Sequence, residues 1–209
     1  CNLRCSWCQN WEISQSPKPT NPIIGEDMTP EEHVKLALEN KCPSIAYTYS
    51  EPTIFLEYAL DTMKLARAKG LKNVWVTNGY MTKETLDVII PYLDAANVDY
   101  KGPDDAVYGV YCGAKAKPVM DSIKMMVDAG VHVEITTLVV PGVNDKPEQL
   151  KQVAEAIFNT VGGNIPWHIS RFFPAWLMTD TPITPLKILQ IAKDIGTKAG
   201  IKYIHLGNV

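Results

Sequence analysis

Three thiols fall within the first eight residues of this 209-residue chain, at Cys1, Cys5 and Cys8, in the spacing C-x-x-x-C-x-x-C. A structural zinc site wants four ligands, usually in two paired sets, and no second C-x-x-C or histidine pair follows downstream. A disulfide between two of the three would close a loop too small to stabilise much and would leave the third thiol unpaired. A ferredoxin-type site takes four cysteines, and the other two, Cys42 and Cys112, sit in unrelated parts of the chain. Cys42 is expected to be a small buried hydrophobe and Cys112, beside Gly109 and Gly113, a plain loop thiol. What remains is a four-iron, four-sulfur cluster held by three thiolates, with one iron left without a protein ligand and open to chemistry. Iron ligation itself would drive the thiols to deprotonate.

Such a loop needs a scaffold. From residue 29 onward short β-rich runs alternate with amphipathic helical windows, in units of roughly 25 to 35 residues, the pattern of repeated βα units. Strands are predicted at 45–49, 74–77, 98–100, 131–140, 167–172 and 203–206. Thr29-Pro30-Glu31-Glu32 reads as a capping box, followed by Val34, Ala37 and Leu38 on one face. Further apolar stripes run through Phe55, Ala59, Met63 and Ala66; through Leu86, Ile89, Ile90 and Leu93 behind a Thr82 cap; and through Val119, Ile123, Met126 and Val127. Leu150, Val153, Ala154, Ile157 and Val161 form another, and Thr184-Pro185 opens a last helix with Ile188, Ala192 and Ile195. Strands that each lead into a helix imply a parallel sheet, because parallel neighbours need a crossover. The pattern leaves open whether that sheet closes into a barrel. Residues 13–27, with Pro17, Pro19 and Pro22, are expected to be an extended connection.

Polar residues gather where the strands end: Ser50 and Glu51, Thr77 and Asn78, Asp99 and Lys101, Asn144 and Asp145, Ser170 and Arg171, and Asn208. In a parallel βα sheet those ends share one rim, where barrels of this kind build active sites. A formal charge of −3 with charges scattered singly gives no basic footprint for nucleic acid, and no run of about 18 apolar residues could span a membrane. An odd count of five cysteines suits a reducing cytoplasm better than a disulfide framework.

The cysteine spacing, with Trp7 just before the last thiol, resembles the cluster loop of radical S-adenosylmethionine (radical SAM) enzymes. In that family the amino and carboxylate groups of SAM chelate the open iron. The resemblance implies an α/β fold, a partial (βα)6-type radical SAM barrel with a parallel sheet, whose first strand would lie upstream of Cys1. Residues 1–209 would then be the radical SAM core domain, a fragment of a longer chain. Tyr49-Ser50-Glu51-Pro52-Thr53 occupies the place of the family's G-G-E-P segment, which holds the SAM amino group, with Ser50 standing where glycine is usual. Thr77-Asn78-Gly79 and Asp99-Tyr100-Lys101-Gly102 are similar to the T-N-G turn and D-x-K strand end of the branch that includes the pyruvate formate-lyase activating enzyme. Leu138 to Asp145 resembles its V-V-P-G…D segment, and Trp167-His168 falls on the strand that carries a SAM-contacting histidine there. Within that branch, Cys8-Gln9-Asn10-Trp11 with Ile13-Ser14-Gln15 is most similar to the radical SAM proteins of the AmmeMemoRadiSam system.

The resemblance implies an enzyme, oxidoreductase-like or modifying a protein or organic substrate, in which the reduced cluster splits SAM to methionine and a 5′-deoxyadenosyl radical that takes hydrogen from the substrate. Cys1, Cys5 and Cys8 would hold the metal; Trp7, Ser50, Glu51, Asn78, Asp99, Lys101 and His168 would bind SAM. Trp7 would lie near the adenine, Glu51 would accept from the amino group, Asn78 and Asp99 would hold ribose hydroxyls or the methionine end, and Lys101 would pair with a carboxylate, either SAM's or that of Asp99. His168 faces either the lumen or a satisfied core position, and Arg171 either grips an acidic substrate group or makes a salt bridge. An external electron donor is implied as a partner, and a protein substrate is compatible. The alternatives are a glycyl-radical enzyme activase and an iron–sulfur electron carrier without SAM chemistry. Many activases insert a cysteine-rich domain after the loop, and nothing of the kind lies between Cys8 and Thr29. A carrier has no need of Glu51, Asn78 and Asp99 around its cluster.

Overall fold

The computed structural model describes residues 1–15 and 25–209. Six strands, β1 (Ser44–Tyr47), β2 (Lys72–Thr77), β3 (Ala95–Asp99), β4 (His132–Val139), β5 (Trp167–Arg171) and β6 (Ile204–Gly207), form one sheet. Every neighbouring pair is parallel and the spatial order is the chain order, so the sheet grows by one crossover after another and stays open, with β1 and β6 at its edges among the described residues. This is the α/β architecture of a partial βα barrel. The crossovers carry the helices α2 (Pro30–Glu39), α3 (Leu56–Ala68), α4 (Lys83–Ile89), α5 (Asp105–Cys112), α6 (Ala116–Asp128), α7 (Pro147–Val161) and α8 (Leu186–Ala199); α1 (Trp11–Ser14) is a single turn before them.

Alternation along the strands separates two faces. Tyr47, Trp75, Val98, Ile135, Val139, Trp167 and Ile169 turn toward the helices and are buried there with Met63, Leu86, Ile89, Ile123, Met126, Leu150, Ile157 and Leu189. At about 1.5 to 3 kcal/mol for each large apolar side chain removed from water, this layer is the main source of stability. Val76, Asp99, Thr136, Leu138 and Ser170 turn the other way and line a cavity. The Thr29 capping box forms as expected: Thr29 Oγ1 accepts from Glu32 N at 3.2 Å and Glu32 returns a bond from Thr29 N at 2.8 Å.

Several expectations are corrected. α5 is a helix where a plain loop was expected; Asp104 caps it through Val107 N at 2.9 Å and Gly113, at φ +68°, ends it. Cys112 is therefore the last residue of a helix and buried, not a loop thiol. Cys42 is exposed: Lys41 takes a left-handed φ of 55°, and Cys42 N bonds back to Ala37 O at 2.9 Å, so the residue lies in the turn that ends α2. α1 replaces the start of the connection expected over 13–27, whose Pro17, Pro19 and Pro22 lie outside the described residues. α4 stops at Ile89, and Leu93 follows a 3-10 turn over Ile90–Tyr92 because Pro91 has no N–H to continue the ladder. Thr184 does not cap α8. Its hydroxyl donates to Val139 O at 2.6 Å and accepts from Phe172 N at 3.1 Å, tying the ends of β4 and β5.

Candidate functional site

Residues 1–8 lie across the C-terminal ends of the strands. Arg4 N bonds to Cys112 O at 3.0 Å and Ser6 N to Tyr111 O at 2.8 Å, while Leu177 N reaches Ser6 O at 3.1 Å. Between loop and sheet is a cavity of about 440 Å³, a volume suited to a small-molecule ligand. Cys1, Cys5 and Cys8 all line it, and so do Trp7, Ser50 and Glu51 from one side and Asn78, Asp99 and Lys101 from the other. The structure thus brings together every predicted site residue except His168.

The E-P-T segment builds one wall. Pro52 opens a 3-10 turn over Pro52–Phe55, and Glu51 caps it, accepting from Thr53 N at 3.2 Å and Thr53 Oγ1 at 2.7 Å. The same carboxylate accepts from Thr77 Oγ1 at 2.7 Å and from Asn78 N at 2.8 Å, so at 1% exposure it ties the end of β1 to the end of β2. The Tyr49–Ser50 peptide before it is cis. Asn78 is equally committed: its Oδ1 accepts from Tyr80 N at 2.8 Å, and its Nδ2 donates to Asn2 Oδ1 at 2.7 Å and lies 3.6 Å from Cys1 Sγ. The next residue must be glycine. Gly79 has φ +69°, and a Cβ there would meet Val98 Cγ1 at 2.7 Å.

Of the two carboxylates expected near Lys101, Asp99 is bound: Lys101 Nζ donates to Asp99 Oδ2 at 2.8 Å. Burial opposes its charge, but Asp99, with the Cys5 thiol nearby, outweighs that and raises its pKa, so it is an ammonium. Asn144, fully buried, fixes its backbone: Nδ2 donates to Lys101 O and Leu138 O, each at 2.9 Å, and Oδ1 accepts from Val140 N at 2.7 Å. The neighbouring Cys112 thiol lowers the Cys5 thiol, an effect that burial opposes and Lys101 aids, while Cys112 is raised in turn by Cys5. Trp7 is buried and packs on Tyr111 with ring centroids 5.7 Å apart.

His168 shares a row of the sheet with Asp99 and Thr136, on the cavity's face, but its ring is not in the lining. Its Nε2 is 2.6 Å from Glu134 Oε2 and its ring stacks on His205 at 5.0 Å. Burial works against the Glu134 charge, yet bonds from His132 and His168 outweigh it and hold that carboxyl below its usual range. Arg171 is turned to structure: Nε donates to Thr184 O at 2.8 Å and the guanidinium lies 5.5 Å from the Phe173 ring centroid. Sequence reasoning gave no role to Asn2, Ser14, Thr136 or Cys112, all of which line or brace the site. The Asp104 cap and Gly113 stop were the signals that would have placed Cys112 at a helix end.

Among the described residues, no three His, Cys, Asp or Glu side chains converge to hold a single metal ion. The three thiols instead border a shared space.

Comparison with known proteins gives these findings. The family model described as "Radical SAM superfamily" matches residues 1–157. The chain is 42% identical over 209 residues to the uncharacterized protein MJ0808 of Methanocaldococcus jannaschii, covering 100% of this chain and 61% of that protein. It is 28% identical over 165 residues to the pyruvate formate-lyase-activating enzyme of Clostridium pasteurianum, covering 76% of this chain and 66% of that enzyme. The chain therefore spans less than two thirds of the length of these relatives. In fold it is similar to Streptococcus suis SuiB bound to S-adenosylmethionine, with a TM-score of 0.73 at 12% identity, over 99% of this chain and 47% of that one.

Proposed function

Because the chain belongs to the radical SAM superfamily, we propose that Cys1, Cys5 and Cys8 hold a four-iron, four-sulfur cluster and that residues 1–209 act as a radical SAM core. When bound and reduced, the cluster and SAM together supply the 5′-deoxyadenosyl radical that takes a hydrogen atom from the substrate. One observation carries the reading: three thiols and an aromatic ring from the first loop, with a carboxylate and an ion pair from two strand ends, border one 440 Å³ cavity. The donor set fits a cluster, since three thiols border one cavity and thiolates are the ligands such clusters take.

The protein's part is to bind, orient and shelter. The Lys101–Asp99 pair presents a partly buried cation and a half-exposed carboxylate, suited to SAM's carboxylate and to hydroxyl or ammonium donors respectively. Glu51 and Asn78 have most of their capacity spent inside the protein, so they shape the SAM pocket more than they grip it. Trp7 offers an apolar wall for the adenine. Ser50 lies in the cavity wall for the methionine end. His168, one lateral step from Thr136, faces the substrate side of the sheet.

An external electron donor is required, and a protein substrate is the partner class most in keeping with the activase likeness. Activation of a glycyl-radical enzyme is the second reading, favoured by the 28% identity to the Clostridium pasteurianum enzyme. Membership of the AmmeMemoRadiSam branch rests on Cys8-Gln9-Asn10-Trp11 and Ile13-Ser14-Gln15. A reducing cytoplasm is the compartment in keeping with an odd count of five cysteines. Anaerobic reconstitution with iron and sulfide, followed by SAM and a strong reductant, should yield 5′-deoxyadenosine and methionine, and Cys5→Ala should yield neither. A loaded cluster that leaves SAM intact would favour the electron-carrier alternative and overturn this reading.

A further inference from the structure

Two of the thiols facing the cavity have a protein hydrogen-bond donor beside them. Cys1 Sγ has Leu3 N at 3.5 Å and Asn78 Nδ2 at 3.6 Å. At Cys8 the donor is Ser14, 6% exposed, whose Oγ is 3.2 Å from Cys8 Sγ. A thiolate can only accept, so the single hydroxyl proton of Ser14 must point at Cys8. The Ser14 oxygen is then left as an acceptor, and Gln15 Nε2, 3.2 Å away, supplies it with a donor. The two bonds agree in direction and aim the hydroxyl at the sulfur.

The backbone holds this geometry in place. Ser14 N bonds Asn10 O at 2.8 Å and Gln15 N bonds Trp11 O at 3.1 Å, which is the single turn of α1. The stretch from Gln9 to Gln15 thus folds back over the cysteine loop. Its Ser14 hydroxyl has been given no chemical role so far beyond a place in the cavity lining.

A hydrogen bond to a ligating sulfur draws electron density from the thiolate and lets the site better tolerate the extra negative charge of the reduced state. We propose that Ser14, aimed by Gln15, donates to the Cys8 thiolate and raises the cluster's reduction potential. These are positioning residues that act through the ligands and touch no substrate. The inference rests on the reading of Cys1, Cys5 and Cys8 as cluster ligands.

The test is an EPR-monitored redox titration of the reconstituted protein without SAM, paired with resonance Raman of the iron–cysteine stretches. Ser14→Ala should move the midpoint to a more negative potential. The ratio of reduced to oxidised cluster at a fixed potential should fall a few-fold to tenfold, tenfold being about 59 mV for one electron. Its iron–cysteine stretches should rise in frequency as the bonds strengthen. Ser14→Thr keeps the hydroxyl and should restore both readouts. Gln15→Ala, which keeps the hydroxyl but not its aim, should shift both less and in the same direction, and it serves if Ser14→Ala fails to hold a cluster. A fully loaded Ser14→Ala protein with the wild-type midpoint and stretches overturns the proposal, even if it melts at a lower temperature. Failure of the wild type to form any cluster would instead remove the ligand reading beneath it.

Discussion

The two ends of the sheet are each tied by buried amide and carboxylate side chains, and they differ in where the bonds finish. At the N-terminal end Asn73, fully buried, donates to Met63 O at 3.1 Å and Tyr92 O at 3.0 Å and accepts from Tyr47 Oη at 3.0 Å, while its backbone N–H goes to Asp94 at 2.9 Å. Every partner is part of the scaffold, so the network closes on itself. At the C-terminal end the bonds run from Glu51 to Thr77 and Asn78, and from Asn78 to Asn2 and the sulfur of Cys1. The same bonding serves stability at one end and the readiness of a site at the other.

The comparison can be broken by substitution. The largest effect is expected at Glu51→Ala, which strands the Thr53, Thr77 and Asn78 donors in a dry environment. It should cost about 4 kcal/mol in denaturant unfolding, and the surviving folded protein should retain little iron. Next, Asn73→Ala should cost about 2 to 3 kcal/mol while leaving iron content per folded molecule at the wild-type level. Asn78→Ala should do the reverse, costing about 1 to 2 kcal/mol and releasing iron to a chelator several-fold faster. If the two asparagine variants lose iron equally, the contrast between the ends is wrong.

A smaller effect concerns Glu134. Its folded pKa lies below the unfolded one, so its bonds to His132 and His168 contribute stability above the ordinary carboxylate range, near 4.3, and that contribution is lost as pH falls through the folded value. With the side chain about a third exposed, solvent screening keeps the contribution under about 1 kcal/mol. The stability gap between wild type and Glu134→Gln, followed by urea unfolding, should be steady near neutrality and close as acid is added.

Much of this arrangement was legible in the chain. The strands show as β-branched runs, and the helices as caps and apolar stripes. The thiol spacing and the polar strand ends point to one rim because a parallel sheet leaves them nowhere else to go. What could not be read was how donors and acceptors are spent. Glu51 and Asn78 look like ligand-binding groups, yet their bonds are largely internal, a matter of which neighbour is nearer in space. Cys112 was missed for a related reason: α5 is short and Gly109 interrupts its pattern, so the helix that carries the thiol to Cys5 left little periodic signal. Ser14 and Gln15 belong to a motif visible from the start, but only the turn of α1 reveals which way the hydroxyl points.

The bonds from Arg4 to Cys112 and from Ser6 to Tyr111 join the first residues of this stretch to a helix completed only after half of it has been synthesised. The cysteine loop cannot take its seat until α5 exists. During translation, then, the thiols leave the ribosome well before their shelter, and whatever guards or loads them must either act on an unfolded segment or wait for α5 to arrive.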